Sequence, residues 1–441
     1  MRLRIPACAA LSAVLLLSCA GLPSRGGELD GTWVSEPSGY LLEVSGSRVA
    51  LFDVCSAGTA SFLRGRLRGE EISLGSVLGF RTEGRLTRSG DGLRMTMYDT
   101  SIAYFSREPA GLRRARPLRD SADSLVNFEV FAATFGERYA FFGLRGVDWE
   151  ARVADYRKRI TPATGEAELF DLLSELVAPL DDAHVGLHGP RGRESSSAAP
   201  RAWEGEAQLM VDAIKANYLE GPPRKAAGGM LVYGRLRAGP AYIFLKGMGG
   251  YSEGSFAESK AALDAGLDEA LSFAAGAPGL VLDIRLNGGG HDAHSLQVAA
   301  RFARERILAF SRRTRSAFGW TDEERFYVEP AEGRPRWDGP LAILVSGATA
   351  SAAENLVLAL AALPGTTVVG EDTRGAFSDM LMKRLPNGWL YTISNEEYRD
   401  ADGRCYEKSG YPPEILAPVD IEAARAGRDP CLEAACEALG I

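Results

Sequence analysis

Residues 343–360 constrain this chain more than any other stretch: Ile343-Leu-Val-Ser-Gly-Ala-Thr-Ala-Ser-Ala-Ala-Glu-Asn-Leu-Val-Leu-Ala-Leu360. An apolar strand runs into a turn of tiny residues, and an apolar helix begins at once. A strand followed directly by a helix is the unit of an α/β layer, whose sites lie at the carboxyl ends of the strands. Ser351 stands at that junction. A hydroxyl there projects from a rigid turn, beside helix N–H groups that have no partner within the helix. Two roles are open for it. It is a nucleophile that a substrate backbone can approach past small neighbours, or it is, with Thr349, the cap of a buried alanine-rich helix.

The rest of the chain divides around this unit. From Gly31-Thr-Trp33 to Ser106 the pattern is β. Leu93, Met95 and Met97 alternate with Arg94, Thr96 and Tyr98, and Ser89-Gly-Asp-Gly92 is a hairpin signal. This predicts a small antiparallel barrel or sandwich, most simply a spacer or docking module. Beyond Arg114, Phe128, Phe131, Phe135, Tyr139 and Phe142 recur at helical spacing and predict core. Thr164 opens another helix, with Leu169, Leu172, Leu173 and Leu176 on one face, ending near Pro179. Residues 190–200 read as an exposed loop. Strands then alternate with helices, at 242–245, 279–284, 341–345 and 367–369, and Asn387-Gly388 turns a hairpin. The organisation predicted is a signal over 1–18, a tether over 19–27 and a small β-rich domain over 28–115. A helical subdomain over 116–190, a loop and connecting segment over 191–228, an α/β core over 229–425 and a helical tail over 426–441 follow.

The N-terminus has Arg2 and Arg4 before an apolar run from Ala9 to Leu17, too short to span a membrane. Leu16-Leu-Ser-Cys19 then resembles a bacterial lipobox, with cleavage before Cys19 and lipid on its thiol. No aspartate follows Cys19, which points to the outer membrane in a cell that has two. About 420 residues would remain, too many for one small core. The formal charge of −8 and the lack of a basic stripe argue against a nucleic-acid partner. Cys55, Cys405, Cys431 and Cys436 remain after cleavage; an exported compartment permits disulfides, Cys431 with Cys436 among them. No cysteine spacing suits zinc.

A serine hydroxyl needs a base, and histidine is the usual one. The chain has four: His184, His188, His291 and His294. His184 follows Leu180-Asp-Asp-Ala in a segment just past a helix end. His291-Asp-Ala-His294 has a spacing seen in metal pairs, a weak signal by itself. Asn287-Gly-Gly-Gly290, at the end of a strand, is either a plain tight turn or a set of free backbone N–H groups able to meet an oxyanion.

Taken in order, the motifs resemble the C-terminal processing peptidases and, more closely, the catalytic core of tricorn protease. They are Asn127-Phe-Glu, Tyr139-Ala-Phe-Phe, Val147-Asp-Trp149, Leu180-Asp-Asp-Ala-His184, Val281-Leu-Asp-Ile-Arg-Leu-Asn-Gly-Gly-Gly290, Leu344-Val-Ser-Gly-Ala-Thr-Ala-Ser-Ala-Ala-Glu354, Val368-Val-Gly-Glu371, Asp402-Gly-Arg-Cys-Tyr-Glu407 and Gly410-Tyr-Pro-Pro413. The resemblance spans residues 127–419. It implies an α/β, crotonase-like spiral ββα core, with Ser351 as nucleophile and His184 as general base. Gly289 and the N–H of Ala352 would be oxyanion donors, and Glu407 the acid that supports the histidine. No cofactor and no metal are implied; the substrate would be a peptide or protein. The sequence departs from the family in three places. The lysine base of the processing peptidases maps to Ala376, and Lys383 is the nearest lysine downstream. The serine that precedes the tricorn histidine is Ala183, so Glu407 must reach His184 directly, through water, or by way of Asp182. The interval from His188 to Tyr242 is too short for the family's PDZ module, which leaves substrate capture to the core or the β domain.

The reading that follows is a lipid-anchored serine peptidase of the cell envelope. A ligand- or peptide-binding protein on the same scaffold, and an esterase using the same site, stay open. Two plainer roles stay open as well: Glu407 paired with Lys408 or Arg404 on a surface hairpin, and His184 as a structural histidine at a helix end.

Overall fold

The computed structural model describes residues 27–77, 80–107, 118 and 121–441. The signal segment and Cys19 lie outside the described residues. No described helix is long and apolar enough to cross a membrane.

Alternating burial along the first strands, such as Arg48–Cys55 and Gly92–Met97, puts one face of each inward. Eight strands, from Gly31–Ser35 to Ser101–Arg107, pair antiparallel with their neighbours, and the first pairs with the last. Of the two predicted forms, the chain takes the closed barrel. Its Gly65 has no room for a side chain: a Cβ there would lie 1.8 Å from the Ser73 carbonyl oxygen. The predicted hairpin forms, with Ser89 opposite Gly92.

The aromatic stripe is core. Phe128, Phe131, Phe135 and Tyr139 pack with Trp149, Phe170 and Tyr391. Asp123 and Asp148 cap the helices Ser124–Arg138 and Trp149–Arg157 through their side chains.

The α/β layer is a seven-stranded sheet in the order Arg224–Ala226, Leu231–Arg235, Ala241–Leu245, Leu280–Asp283, Leu341–Val345, Thr366–Gly370, Ile415–Leu416. The first pairings are antiparallel; from Ala241 onward they are parallel. Leu341–Val345 is buried along its whole length, between helices Phe256–Ala274 and Ala352–Ala361 on one face and Pro430–Ala438 on the other. The segment expected as a C-terminal tail is therefore part of the core. Leu432 and Ala435 bury against Val281, Leu344 and Val369. The stretch expected as a connecting loop also carries structure: a strand Glu194–Ser196 and a helix Gln208–Ala213. Both are too short to show a hydrophobic period.

The last helix is tied in by a buried ionic cluster. Arg285 donates to Asp283 and, at 2.8 and 2.9 Å, to Asp429, and all three side chains are buried. Asp429 also accepts the N–H of Leu432 as the helix cap. Asp429→Ala would leave the Arg285 charge half-compensated, and a loss of about 3–5 kcal/mol is expected. The midpoint of denaturant unfolding checks this.

The barrel is fastened to the core by a second buried charge. The Lys383 ammonium donates to the carbonyls of Ser38 and Gly39 and to Asp53, and sits 3.8 Å above the Tyr40 ring. Lys383 is thus a joint between the domains.

Candidate active site

Ser351 precedes the helix Ala352–Ala361 with φ +58° and ψ −130°. That conformation is rarely held by a residue with a side chain and costs of order 1–3 kcal/mol. Glu354, fully buried, explains why it persists. Its carboxylate accepts the N–H groups of Ser351 at 3.1 Å, Gly375 at 2.7 Å and Ala376 at 2.9 Å, and the Thr373 hydroxyl. The Ser351 N–H also donates to the Ala376 carbonyl. The helix start and the 373–376 turn are thus clamped on one carboxylate. Thr349 donates its hydroxyl to the Ile284 carbonyl, so it ties strand to strand end and does not cap the helix.

Gly289, at φ +98°, comes up against this turn. A Cβ there would lie 2.6 Å from the Ser351 Cβ and 3.1 Å from the Ala352 nitrogen. Only glycine allows that approach. The N–H of Ala352 has no acceptor among the described residues, as expected for the first helical position. The N–H of Gly289, in contrast, donates to Asn287 Oδ1 at 3.0 Å. The donor expected to be free is therefore in use.

His184 follows a helical turn and is held by Asp182. Asp182 Oδ1 accepts the backbone N–H of His184 and the Ser394 hydroxyl, and Oδ2 accepts the Tyr139 hydroxyl. The His184 ring is buried, and its Nδ1 has no hydrogen-bond partner. Burial pushes its pKa below the ordinary value, and the Asp182 charge opposes that only in part.

Glu407 makes no hydrogen bond to His184. Its Oε2 accepts the N–H groups of Phe377 and Ser378, and its Oε1 accepts from Arg145 at 3.2 Å. It is buried, so the surface-hairpin pairing with Lys408 or Arg404 is excluded. Arg145 lies between the two acids, 3.7 Å from Asp182. Its role had no signal in the sequence, since Glu407 is 262 residues away.

Ser351, His184 and the glycine run open on one cavity of about 1050 Å³. Its far wall is the barrel. The turn Tyr98-Asp99, with both residues at positive φ, reaches over the cleft and sets the Tyr98 ring 4.3 Å from that of His291. Lys260 fastens Asp99 at 2.6 Å. The His294 Nδ1 lies 3.0 Å from the Met248 carbonyl, and among the described residues no group of three or more His, Cys, Asp or Glu could hold a metal ion. His188 faces Glu194, away from the cleft. Cys55, Cys405, Cys431 and Cys436 are free thiols, so Cys431 and Cys436 do not bridge.

Residues 241–417 match Peptidase family S41, and residues 120–178 match the tricorn protease C1 domain. In these two segments the chain is similar to the S41 and tricorn peptidases. The chain is 29% identical over 145 residues to a carboxyl-terminal-processing protease of Picosynechococcus sp., covering 33% of each. A protein of the same description from Synechocystis sp. is 28% identical over 159 residues, covering 33% of this chain and 35% of that one. The match thus spans about a third of the length of these curated relatives. Among solved structures, a putative peptidase from Parabacteroides merdae is 26% identical, with a TM-score of 0.62, covering 72% of this chain and 97% of that one. Mature CPAF shares the fold at 10% identity, with a TM-score of 0.54 and coverage of 72% and 98%.

Proposed function

We propose that this chain is a serine peptidase, held by lipid on Cys19 at the bacterial cell envelope, on the outer membrane where there are two. The observation that carries the reading is Ser351 in a strained strand-to-helix turn, with Gly289 against it and His184 opening on the same cavity. We assign the core to the crotonase-like spiral class, supported by the parallel strands Ala241–Leu245, Leu280–Asp283 and Leu341–Val345, each leading into a helix that packs back on the sheet.

In this reading the Ser351 oxygen attacks the peptide carbonyl as His184 takes the hydroxyl proton. The carbonyl oxygen becomes an anion beside the free N–H of Ala352. The Gly289 N–H joins it on exchanging Asn287 Oδ1 for the oxyanion. Collapse breaks the C–N bond, and His184 returns its proton to the leaving amine. Water then repeats the cycle on the acyl-serine. Glu407 acts at a distance, by holding the Phe377-Ser378 backbone and Arg145 at the edge of the site. Ala376 and the joint made by Lys383 support a histidine base over a lysine base.

The unpartnered Nδ1 of His184 is the one observation favouring a binding protein on the same scaffold. Labelling of the mature protein by a fluorophosphonate tests both. Expected is labelling of wild type that is lost in Ser351→Ala and in His184→Ala; a folded wild type that stays unlabelled would sink the peptidase reading. A matched peptide and ester panel then separates peptidase from esterase.

The base must be neutral in the free enzyme. Burial lowers the His184 pKa, so its neutral form persists to lower pH than in an ordinary histidine. The acid limb of kcat/KM is therefore expected below the ordinary value of 6.5. A limb at or above that value would show that His184 is not the group titrating.

A further inference from the structure

The chain has eight methionines, and six of them line the cavity that holds Ser351: Met95, Met97, Met230, Met248, Met380 and Met382. Of the other two, Met1 lies outside the described residues, and Met210 is buried on the opposite face of the sheet. The six come from separate parts of the chain. Met95 and Met97 point into the barrel, Met380 and Met382 stand on the strand Met380–Arg384, and Met230 and Met248 flank the strands at the cleft floor. Beside them the barrel contributes Phe62, Leu74 and Ile102 to the same wall. An eight-stranded barrel has an interior that side chains just fill, or that takes one small apolar group. Here its open end faces the cleft and is continuous with the space in front of Ser351. Met382, half-buried, packs against the barrel core from the other side and completes the rim.

Methionine is unbranched and polarisable, and surfaces rich in it adapt to apolar groups of different shape. We infer that the mouth of the barrel is a specificity subsite, which seats one large apolar side chain of the substrate, aliphatic or aromatic, next to the bond being cut. The inference rests on the peptidase reading for the identity of the bond, and it gives the barrel a role in substrate selection. Continuity with the Ser351 cavity argues for a substrate side chain as the occupant, since any group seated there lies within one chain of the nucleophile.

The test is a set of peptides identical except for one residue, placed in turn on either side of the cut, as Leu, Phe, Ala, Ser or Asp. Wild type is expected to prefer Leu and Phe to Ser by about tenfold or more at one position. Met95→Gln with Met97→Gln keeps side-chain length and adds polarity from the barrel side; Met382→Gln does so from the core side. Each is expected to lower kcat/KM about tenfold for the Leu and Phe peptides and to leave the Ala peptide within about twofold. The rate of fluorophosphonate labelling should not change. Thermal unfolding identifies any variant that has lost its fold, and the other variant then carries the test. Labelling with no apolar preference, or a preference unmoved in folded variants, overturns the subsite and leaves the peptidase reading standing. If wild type does not label, the peptidase reading fails by itself. Nile red fluorescence then decides the subsite: binding to wild type that the glutamine variants lose supports it, and no binding overturns it.

Discussion

Ser351→Gly is expected to destroy activity and to make the protein more stable than Ser351→Ala. Both variants remove the nucleophile, and a loss of about 10⁶-fold in kcat is the scale for a nucleophile that acts as part of a unit. They differ in the backbone. Alanine keeps the Cβ and so keeps the cost of φ +58°, ψ −130°. Glycine takes that conformation without steric penalty, although it loses more freedom on folding. The strain is of order 1–3 kcal/mol, against a glycine penalty of roughly 0.5–1 kcal/mol. The glycine variant should therefore exceed the alanine variant, by up to about 2.5 kcal/mol. A glycine variant less stable in denaturant than the alanine variant by about 0.5–1 kcal/mol would mean that the turn stores no strain, and the clamp assigned to Glu354 would lose its purpose.

His184→Ala is expected to cost nearly as much in kcat as losing Ser351, again on the order of 10⁶-fold. The double variant should be no worse than either single one, because a base without its nucleophile has nothing to deprotonate. Glu407→Gln should cost far less, about tenfold, whereas an acid bonded to the base is worth nearer 10⁴-fold. The reason is geometric: the Glu407 carboxylate meets Arg145 and two backbone N–H groups, and the His184 Nδ1 meets nothing. Single-turnover kinetics on one peptide would measure all four variants. A loss of 10⁴-fold or more in Glu407→Gln would show that the acid and the histidine meet during turnover.

What could be read in the sequence was local. The strand, turn and helix around Ser351 are contiguous, and their residue types alone announce the junction. The glycine run showed for the same reason, since a backbone that must approach Ser351 to within the reach of a Cβ admits nothing larger than Gly289. The barrel was legible as β, because alternation is a local signal; its closure was not, because it depends on Trp33 meeting Arg107 across the domain. The histidine support was illegible for a different reason. Motif position puts Glu407 near the base, but what it bonds to depends on Arg145, in a short helix that has no buried face to reveal it. The last helix looked like a tail because its charge partner, Arg285, is 144 residues earlier. Gly289 shows the same limit at short range: its N–H is engaged by an asparagine two residues away, a choice made by loop geometry.

The joint at Lys383 also has a consequence in time. The barrel is made first, and the lysine that fastens it comes 330 residues after Asp53. At 5–20 residues per second that is a delay of roughly 15–65 s. From the completion of its last strand at Arg107, the nascent barrel holds an uncovered opening and a carboxylate with no counter-charge. Met382 and Lys383 arrive together, as adjacent residues; the first completes the rim and the second supplies the counter-charge. The growing chain is thus most open to wrong partners before its last eighth is made, and a ribosome stalled short of residue 383 would leave the barrel without that joint.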